Sequence, residues 1–302
     1  MEQPWNAEFD VDTGLARSLI RACFPEIAAD TVEPLGAGWD NSAFLVDRRV
    51  VVRFPRKASA AGLIATEMRT LGALAPHLPL AVPEPILQAS MGPGFPWPFA
   101  GYALLPGRTA CGAALSDEAR RALAPALGRF LRRLHDVDPS GLSLPPDTLR
   151  RLSLDRRRDE LGDRLGVLEA RSVIDGASPW LDAFDGLGPD VPPIEGDAVV
   201  HGDLYARHLL VDDAGVPTGV IDWGDLHRGA PAVDLMVMFA LLPARARDAF
   251  LDAYGPVHER DLRLARRRAL LHAATFTWFG VEADDIDLVT EGRRALRHVL
   301  DD

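Results

Sequence analysis

Lysine is almost missing from this chain: Lys57 stands alone among 33 basic residues, and the other 32 are arginines. Any role that usually falls to lysine has one lysine candidate here, or else an arginine in its place. Cysteine is nearly as scarce, with Cys23 and Cys111 as the whole complement and no CxxC spacing. That excludes a zinc ribbon or a disulfide framework and points to a reducing, cytoplasmic setting. No run of 18 apolar residues occurs, and the acidic start MEQPWNAEFDVD has neither the basic head nor the apolar stretch of an export signal. Positive charge is in deficit as well, since 44 acids against 33 basic residues leave a formal net charge of -11. Such a chain is not expected to take nucleic acid or an anionic membrane as partner.

What is present is enough for two lobes. The chain has 302 residues, 47% of them hydrophobic, against a prior of about 100 to 200 residues per domain. Asp12 and Thr13 cap a helix running to about Phe24, with Leu15, Leu19, Ile20 and Cys23 as its apolar stripe. Ser42 to Val46 and Val50 to Phe54 read as a hairpin around Asp47-Arg48-Arg49, Ala60 to Ala75 as a helix, and Phe99 to Leu105 as a strand stopped by Pro106-Gly107. From Ser116 onward three-to-four spacing predicts helices over Asp117 to His135 (kinked at Pro125), Leu149 to Arg171, Pro179 to Leu187, Ala232 to Leu241, Arg245 to Tyr254 and Arg260 to Phe279. The expected division is an N-terminal lobe over residues 1–105 and a helical C-terminal lobe over 106–302.

Inside the helical half, two apolar strands end in acids. VVHGDLYARHLL, residues 199–210, runs a β-branched stretch into His201, Gly202 and Asp203 and then to His208. Eleven residues later a second such stretch, Gly219-Val220-Ile221-Asp222-Trp223, again ends in an acid. Two strands that deliver carboxylates to one place suit a cleft that handles metal ions or moves protons.

HGDLYARH followed by GVIDWGD resembles the catalytic segment of the aminoglycoside phosphotransferase-like (APH) kinases, whose pattern is HGDxxxxN and then an I-D-F/W segment. A histidine at position 208, the LY after HGD and the GVIDW segment look most like the macrolide phosphotransferase branch. GAGWDNSAF, VVRFP, FPWPFAGYALLPG and APAVDL follow the family's features in order along most of the chain. The resemblance implies an α+β, bilobal, protein-kinase-like fold. It also implies transfer of a nucleotide γ-phosphate, from ATP or GTP with Mg²⁺, to a hydroxyl of a small-molecule substrate. It assigns Asp203 to the acceptor hydroxyl, Asp222 to the metal, and His208 to the metal side, where imidazole is a poorer partner for Mg²⁺ than oxygen. His208 could therefore bind directly, bind through water, or tune metal choice.

His201, a histidine before glycine at a strand end, reads as a hydrogen-bonding brace for the loop, and the same resemblance places Asp234 as structural support for the catalytic loop. On the nucleotide side it points to the backbone N–H groups of Asn41 and Ser42 at the phosphates, and to Arg53 where kinases carry a strand lysine, paired with Glu67. Lys57 is the alternative phosphate cation. The backbone of Tyr102, Ala103 and Leu104 would read the purine, with the likeness leaning toward GTP. Asp225 reads as a helix cap in preference to a third acid near the substrate. The acids of VEADDID, residues 281–287, read as a solvated helix start or could meet the ammonium groups of an aminoglycoside, and Trp223, Phe276, Trp278 and Phe279 read as core or could line an apolar pocket. A monomeric antibiotic O-phosphotransferase, macrolide-like first and aminoglycoside-like second, is the leading expectation. A metabolic kinase for a sugar, amino alcohol or nucleoside, a non-catalytic nucleotide-binding module, and a metallohydrolase built on His201, Asp203, His208 and Asp222 are the alternatives.

Overall fold

A computed structural model describes residues 5–153, 157–188 and 196–301. Asp12 caps the first helix, α1 (Thr13–Cys23), by accepting the Leu15 N–H at 2.8 Å, and the helix buries Ala16, Leu19 and Ile20. The hairpin of β2 (Asn41–Val46) and β3 (Val50–Pro55) turns through Asp47 and Arg48, both with left-handed φ, near 48° and 57°. Asp tolerates that region, and its carboxylate also accepts the N–H groups of Ala29 and Thr31 at 3.1 and 2.9 Å, tying the turn to the chain that enters the sheet. With β1 (Val32–Ala37), β4 (Pro85–Ala89) and β5 (Phe99–Ala103), the hairpin completes an antiparallel sheet of order β1-β2-β3-β5-β4. Phe44, Phe54, Phe95 and Phe99 pack with α1 into the smaller of two apolar cores. The helix α2 (Ala58–Leu74) crosses this sheet but sends Leu71 and Leu74 into the larger core, as β5 sends Ala100 and Tyr102.

That larger core belongs to the helices α3 (Asp117–His135), α4 (Arg158–Ala170), α5 (Ser178–Gly186), α6 (Ala232–Ala240), α7 (Arg247–Tyr254), α8 (Glu259–Glu282) and α9 (Ile286–Leu300). Pro125 lies within α3 without ending it. The residues expected to open a long helix at Leu149 instead form turns, and α4 starts at Arg158; residues 154–156 lie outside the described ones. The last helix, α9, starts within the acidic segment 281–287. Asp285 caps it by accepting the Leu288 N–H at 3.0 Å, and its Glu291 makes a buried bidentate pair with Arg120 of α3 at 2.7 and 2.5 Å.

The two acid-tipped strands lie in separate small sheets. The strand β7 (Ala198–Val200) pairs with β10 (His227–Gly229), whereas β9 (Pro217–Val220) pairs with β8 (Leu209–Val211), which in turn pairs with β6 (Arg108–Thr109). Asp203 and Asp222 thus meet through the loops that leave β7 and β9. Across the cleft mouth, Trp5 joins the lobes: its ring centroid is 5.0 Å from Trp39 before β2, and 4.7 and 5.2 Å from Trp278 and Phe279 on α8. Glu8, three residues on, accepts the Ala58 N–H at 3.1 Å and so caps α2, whose own N-cap Lys57 makes no side-chain capping bond. No helix among the described residues is long and apolar enough to cross a membrane.

Candidate active site

The loop after β7 can form only with glycine at position 202. Gly202 has φ near +89°, and a Cβ there would lie 2.4 Å from the carbonyl oxygen of Asp225. Its backbone is then held from both sides. Asp234, at the start of α6, accepts the N–H of His201 at 2.7 Å and of Gly202 at 2.8 Å. Arg268 of α8 donates to the Gly202 carbonyl at 2.8 Å and to that of Val233 at 3.3 Å. Burial alone would push the Asp234 carboxyl up, but His135, His201 and the Gly202 N–H bring it down to about 2. It is therefore an acceptor-only carboxylate, suited to two amide donors. His201 is wholly buried. Its Nδ1 accepts the Asp203 N–H at 3.2 Å, which leaves the hydrogen on Nε2, 3.1 Å from the carbonyl oxygen of Ile221. The imidazole thereby links the two acid-bearing loops.

Asp203 projects from this braced loop. One carboxylate oxygen is 2.7 Å from Nε2 of His272, and the other is 3.6 Å from Nδ1 of His208. Burial dominates its ionisation and raises the carboxyl to about 7, against the opposing pull of His208. A carboxylate poised near neutrality can orient a hydroxyl and accept its proton. Asp222 has the opposite balance. Burial would raise it, yet Arg53 first and His208 second outweigh that and hold it well below the usual carboxylate range. It adopts a left-handed φ of 61°, a conformation costly for a non-glycine residue and here fixed by its ion pairs.

Arg53 supplies the main one. Its Nη1 lies 2.8 Å from both oxygens of Glu67 on α2, and its Nη2 lies 2.6 Å from Oδ1 of Asp222. Tyr102 completes the network by donating its hydroxyl to Glu67 at 2.7 Å. Burial and Glu67 together push the Tyr102 hydroxyl well up, so it remains a donor. The fork thus grips two carboxylates from opposite lobes, a geometry an ammonium does not offer.

A divalent cation fits beside this network on chemical grounds. His208 directs Nδ1 to the carbonyl oxygen of Asp203 at 2.8 Å, which places the hydrogen there and the lone pair on Nε2. That lone pair faces Oδ2 of Asp222 at 3.3 Å. Two electron-rich atoms so placed suit a cation between them, and burial keeps His208 below its ordinary value and hence neutral. Two protein ligands with phosphate and water as the remainder match the habit of Mg²⁺. No group of three or more His, Cys, Asp or Glu among the described residues is arranged to hold a metal. The metallohydrolase constellation is therefore not assembled, because the ring nitrogens of His201 are both engaged with backbone.

These residues open on one cavity of about 870 Å³ between the lobes. Gly38, Trp39, Asp40 and Asn41 line its roof, and the side chains of Leu35 and Leu104, 54% and 44% exposed, line it as well. Three expectations are corrected here. Ser42 lies within the ladder opposite Ala37 and Phe54 and does not line the cavity, so the phosphate-facing run ends at Asn41. The Leu104 N–H is donated to the Arg49 carbonyl at 2.8 Å, so it cannot read a purine, although Ala103 and Leu104 do line the cavity. Asp225 caps no helix, and pairs instead with Arg151, which also holds Asp147 at 2.7 Å. Lys57 is 3.0 Å from Asp40 and is not among the lining residues.

At the far end of the cavity the acids of 281–287 find other uses. Asp285 caps α9 and pairs with Arg207 at 2.8 Å, leaving Asp287 as the other lining acid of the segment. Tyr205 and Phe276 lie nearby in a tilted pair, ring centroids 5.0 Å apart, and Phe279 lies against Trp39. Trp223, expected as a possible pocket wall, is fully buried and donates to the Val220 carbonyl at 2.9 Å. His272, Arg268, Arg151 and the Tyr102 hydroxyl were not anticipated. For His272 the one local hint was its place a helical turn before Phe276.

The profile of the phosphotransferase enzyme family (APH) matches residues 31–270. An uncharacterized protein of Bacillus subtilis (strain 168), YcbJ, is 25% identical over 224 residues, which cover 68% of this chain and 67% of that protein. Among solved structures, the GDP and kanamycin complex of APH(2")-IIia aligns with a TM-score of 0.68 and 22% identity over 94% of this chain and 97% of that one. The apoenzyme of the macrolide 2'-phosphotransferase MphH from Brachybacterium faecium aligns with a TM-score of 0.56 and 25% identity, covering 92% and 97%.

Proposed function

Because the chain belongs to the phosphotransferase enzyme (APH) family, we propose that it transfers the γ-phosphate of ATP or GTP to a hydroxyl of a largely apolar small molecule, a macrolide-like antibiotic ahead of an aminoglycoside. The observation that carries the reaction is the convergence of Asp203, His208 and Asp222 from two loops onto one cavity, with Asp222 held ionised by Arg53. The observation that favours the acceptor class is the pairing of acids at the far end. Asp225 is taken by Arg151 and Asp285 by Arg207, while Arg157 and Arg164 share Glu160. A polycation would compete with those arginines for Asp225 and Asp285, with Asp287 the lining acid outside the pairs, whereas an apolar body can lie against Tyr205, Phe276 and Phe279 without disturbing them.

When bound, Mg²⁺ supplies positive charge against the phosphate oxygens, and Asp222 Oδ2 with His208 Nε2 would hold it. Asp203 accepts a hydrogen bond from the acceptor hydroxyl and takes its proton as that oxygen attacks phosphorus. Arg53 keeps Glu67 and Asp222 in register between the lobes. The backbone around Gly38 to Asn41 borders the phosphates, and Leu35 and Leu104 border the base.

The test is a panel of macrolides, aminoglycosides, sugars and amino alcohols incubated with ATP or GTP and read by mass for an added phosphate. A macrolide product supports the reading, and a product from aminoglycosides alone refutes the acceptor class. A second expectation concerns His208. Mn²⁺ accepts imidazole more readily than Mg²⁺ does, so Mn²⁺ should support a rate at least equal to that with Mg²⁺. His208→Asn should shift the ratio of the two rates toward Mg²⁺ by about threefold or more. An unchanged ratio would remove His208 from the metal.

A further inference from the structure

The carboxylate assigned to the acceptor hydroxyl is held at one oxygen and open at the other. His272 Nε2 lies 2.7 Å from Asp203 Oδ1, from a residue 69 positions further along the chain and beyond the end of the family match at 270. Oδ2, by contrast, is 3.6 Å from His208 Nδ1, too long for a hydrogen bond, and that nitrogen is engaged with the Asp203 carbonyl. A carboxylate without a donor turns freely about its last torsion, which has only a broad two-fold preference. One directed donor removes that freedom.

His272 has the attributes of a fixed donor. Its side chain is 10% exposed, and its ring meets Tyr205 and Phe276 edge to face, at centroid distances of 5.0 and 5.3 Å. Arg268, one turn earlier on α8, holds the Gly202 carbonyl, so the same helix face secures both the loop and its carboxylate. Burial foremost, with Arg268 second, lowers the imidazole to about 3, so it is neutral and carries a single hydrogen. Placed on Nε2, that hydrogen points at Asp203.

We propose that His272 is a positioning residue of the transfer reaction: its Nε2–H holds Oδ1 of Asp203, so that Oδ2 faces the acceptor hydroxyl. This rests on the reading of Asp203 given above. In the step it serves, the hydroxyl proton passes to Oδ2, the acceptor oxygen bonds to the γ-phosphorus, and the bond from that phosphorus to the nucleoside diphosphate breaks. His272 neither gains nor loses a proton.

The test compares His272→Leu, which removes the donor at similar volume, with His272→Gln, whose amide N–H reaches the position of Nε2. The leucine variant should lose about 10- to 100-fold in kcat with the KM for nucleotide within about twofold of wild type, as expected when a reacting group is misplaced by a fraction of an ångström. The glutamine variant should recover to within about fivefold. Combined with Asp203→Asn, His272→Leu should cause no further loss, because both changes act through one group. Nitrogen NMR of the imidazole should show the Nε2-protonated tautomer, with a resonance that moves in Asp203→Asn. A leucine variant as active as wild type, equal losses in the two His272 variants, or a resonance indifferent to Asp203→Asn would each overturn the proposal. Failure of the functional reading looks different, since the wild type itself would then phosphorylate nothing in the panel.

Discussion

Asp203→Asn should abolish phosphate transfer and, in the ligand-free protein, raise the unfolding temperature at pH 8. The loss in kcat is expected to be on the order of 10² to 10⁴, the range for removing a positioned base, with nucleotide binding retained. The gain in stability follows from the raised carboxyl. With about 7 in the folded protein against about 3.9 unfolded, the native state holds this proton more tightly. The group therefore costs nothing below pH 4, and its cost grows as pH rises toward 7 and is complete above that. The amide removes the cost while still accepting from His272. Thermal unfolding of both proteins at pH 4 and pH 8, beside single-turnover assays, checks the two halves. A variant that is active, or that melts below wild type at pH 8, would contradict the assignment. The same carboxyl predicts that the transfer rate of the wild type falls as pH drops below about 7.

Asp234→Ala should be the most destabilising single change in the site, at about 3 to 5 kcal/mol, the usual cost of breaking a buried charged partner. It strands the N–H groups of His201 and Gly202 and Nε2 of His135, all buried. Loss of the brace should lower kcat by about 100-fold even where the protein remains folded, because Asp203 follows directly on those amides. Asp234→Asn keeps one acceptor oxygen and should cost less than the alanine change. Urea unfolding gives the stability, and an alanine variant within about 1 kcal/mol of wild type would show that the loop holds itself. The pH dependence runs opposite to that of Asp203. A carboxyl lowered to about 2 contributes stability above about pH 4 and loses it as pH falls through 2.

The elements with strong local signals were legible in the sequence. Asp12 fixed the start of α1, the pair of β-branched runs gave the β2–β3 hairpin, and apolar spacing placed α3 from Asp117 to His135. The HGD segment and Asp222 announced themselves because acids at strand ends are conspicuous. What the chain order conceals is contact across long separations. Tyr102 reads as a hinge residue, yet its hydroxyl belongs to a network of Arg53, Glu67 and Asp222 assembled from β3, α2 and the loop after β9. Asp225 has the look of a cap, but Arg151, 74 residues away, claims it. His272 offers only its place a helical turn before Phe276, and it is the packing of α8 against the loop of Asp203 that gives it a task. The two acid-tipped strands look like neighbours and are not, because β7 pairs with β10 and β9 with β8, in separate sheets.

The guanidinium on β3 has a consequence for chemical labelling. Nucleotide acyl phosphates mark a nucleotide site by acylating an amine beside the phosphates, and β3 offers none. A guanidinium stays protonated at any working pH and does not take the acyl group. The one lysine, Lys57, sits past the strand end with its Nζ on Asp40, and its side chain is 14% exposed. Lys57, whose Nζ meets Asp40 in the run proposed to border the phosphates, is then the one lysine such reagents could label, and Arg53→Lys should add a second labelled position.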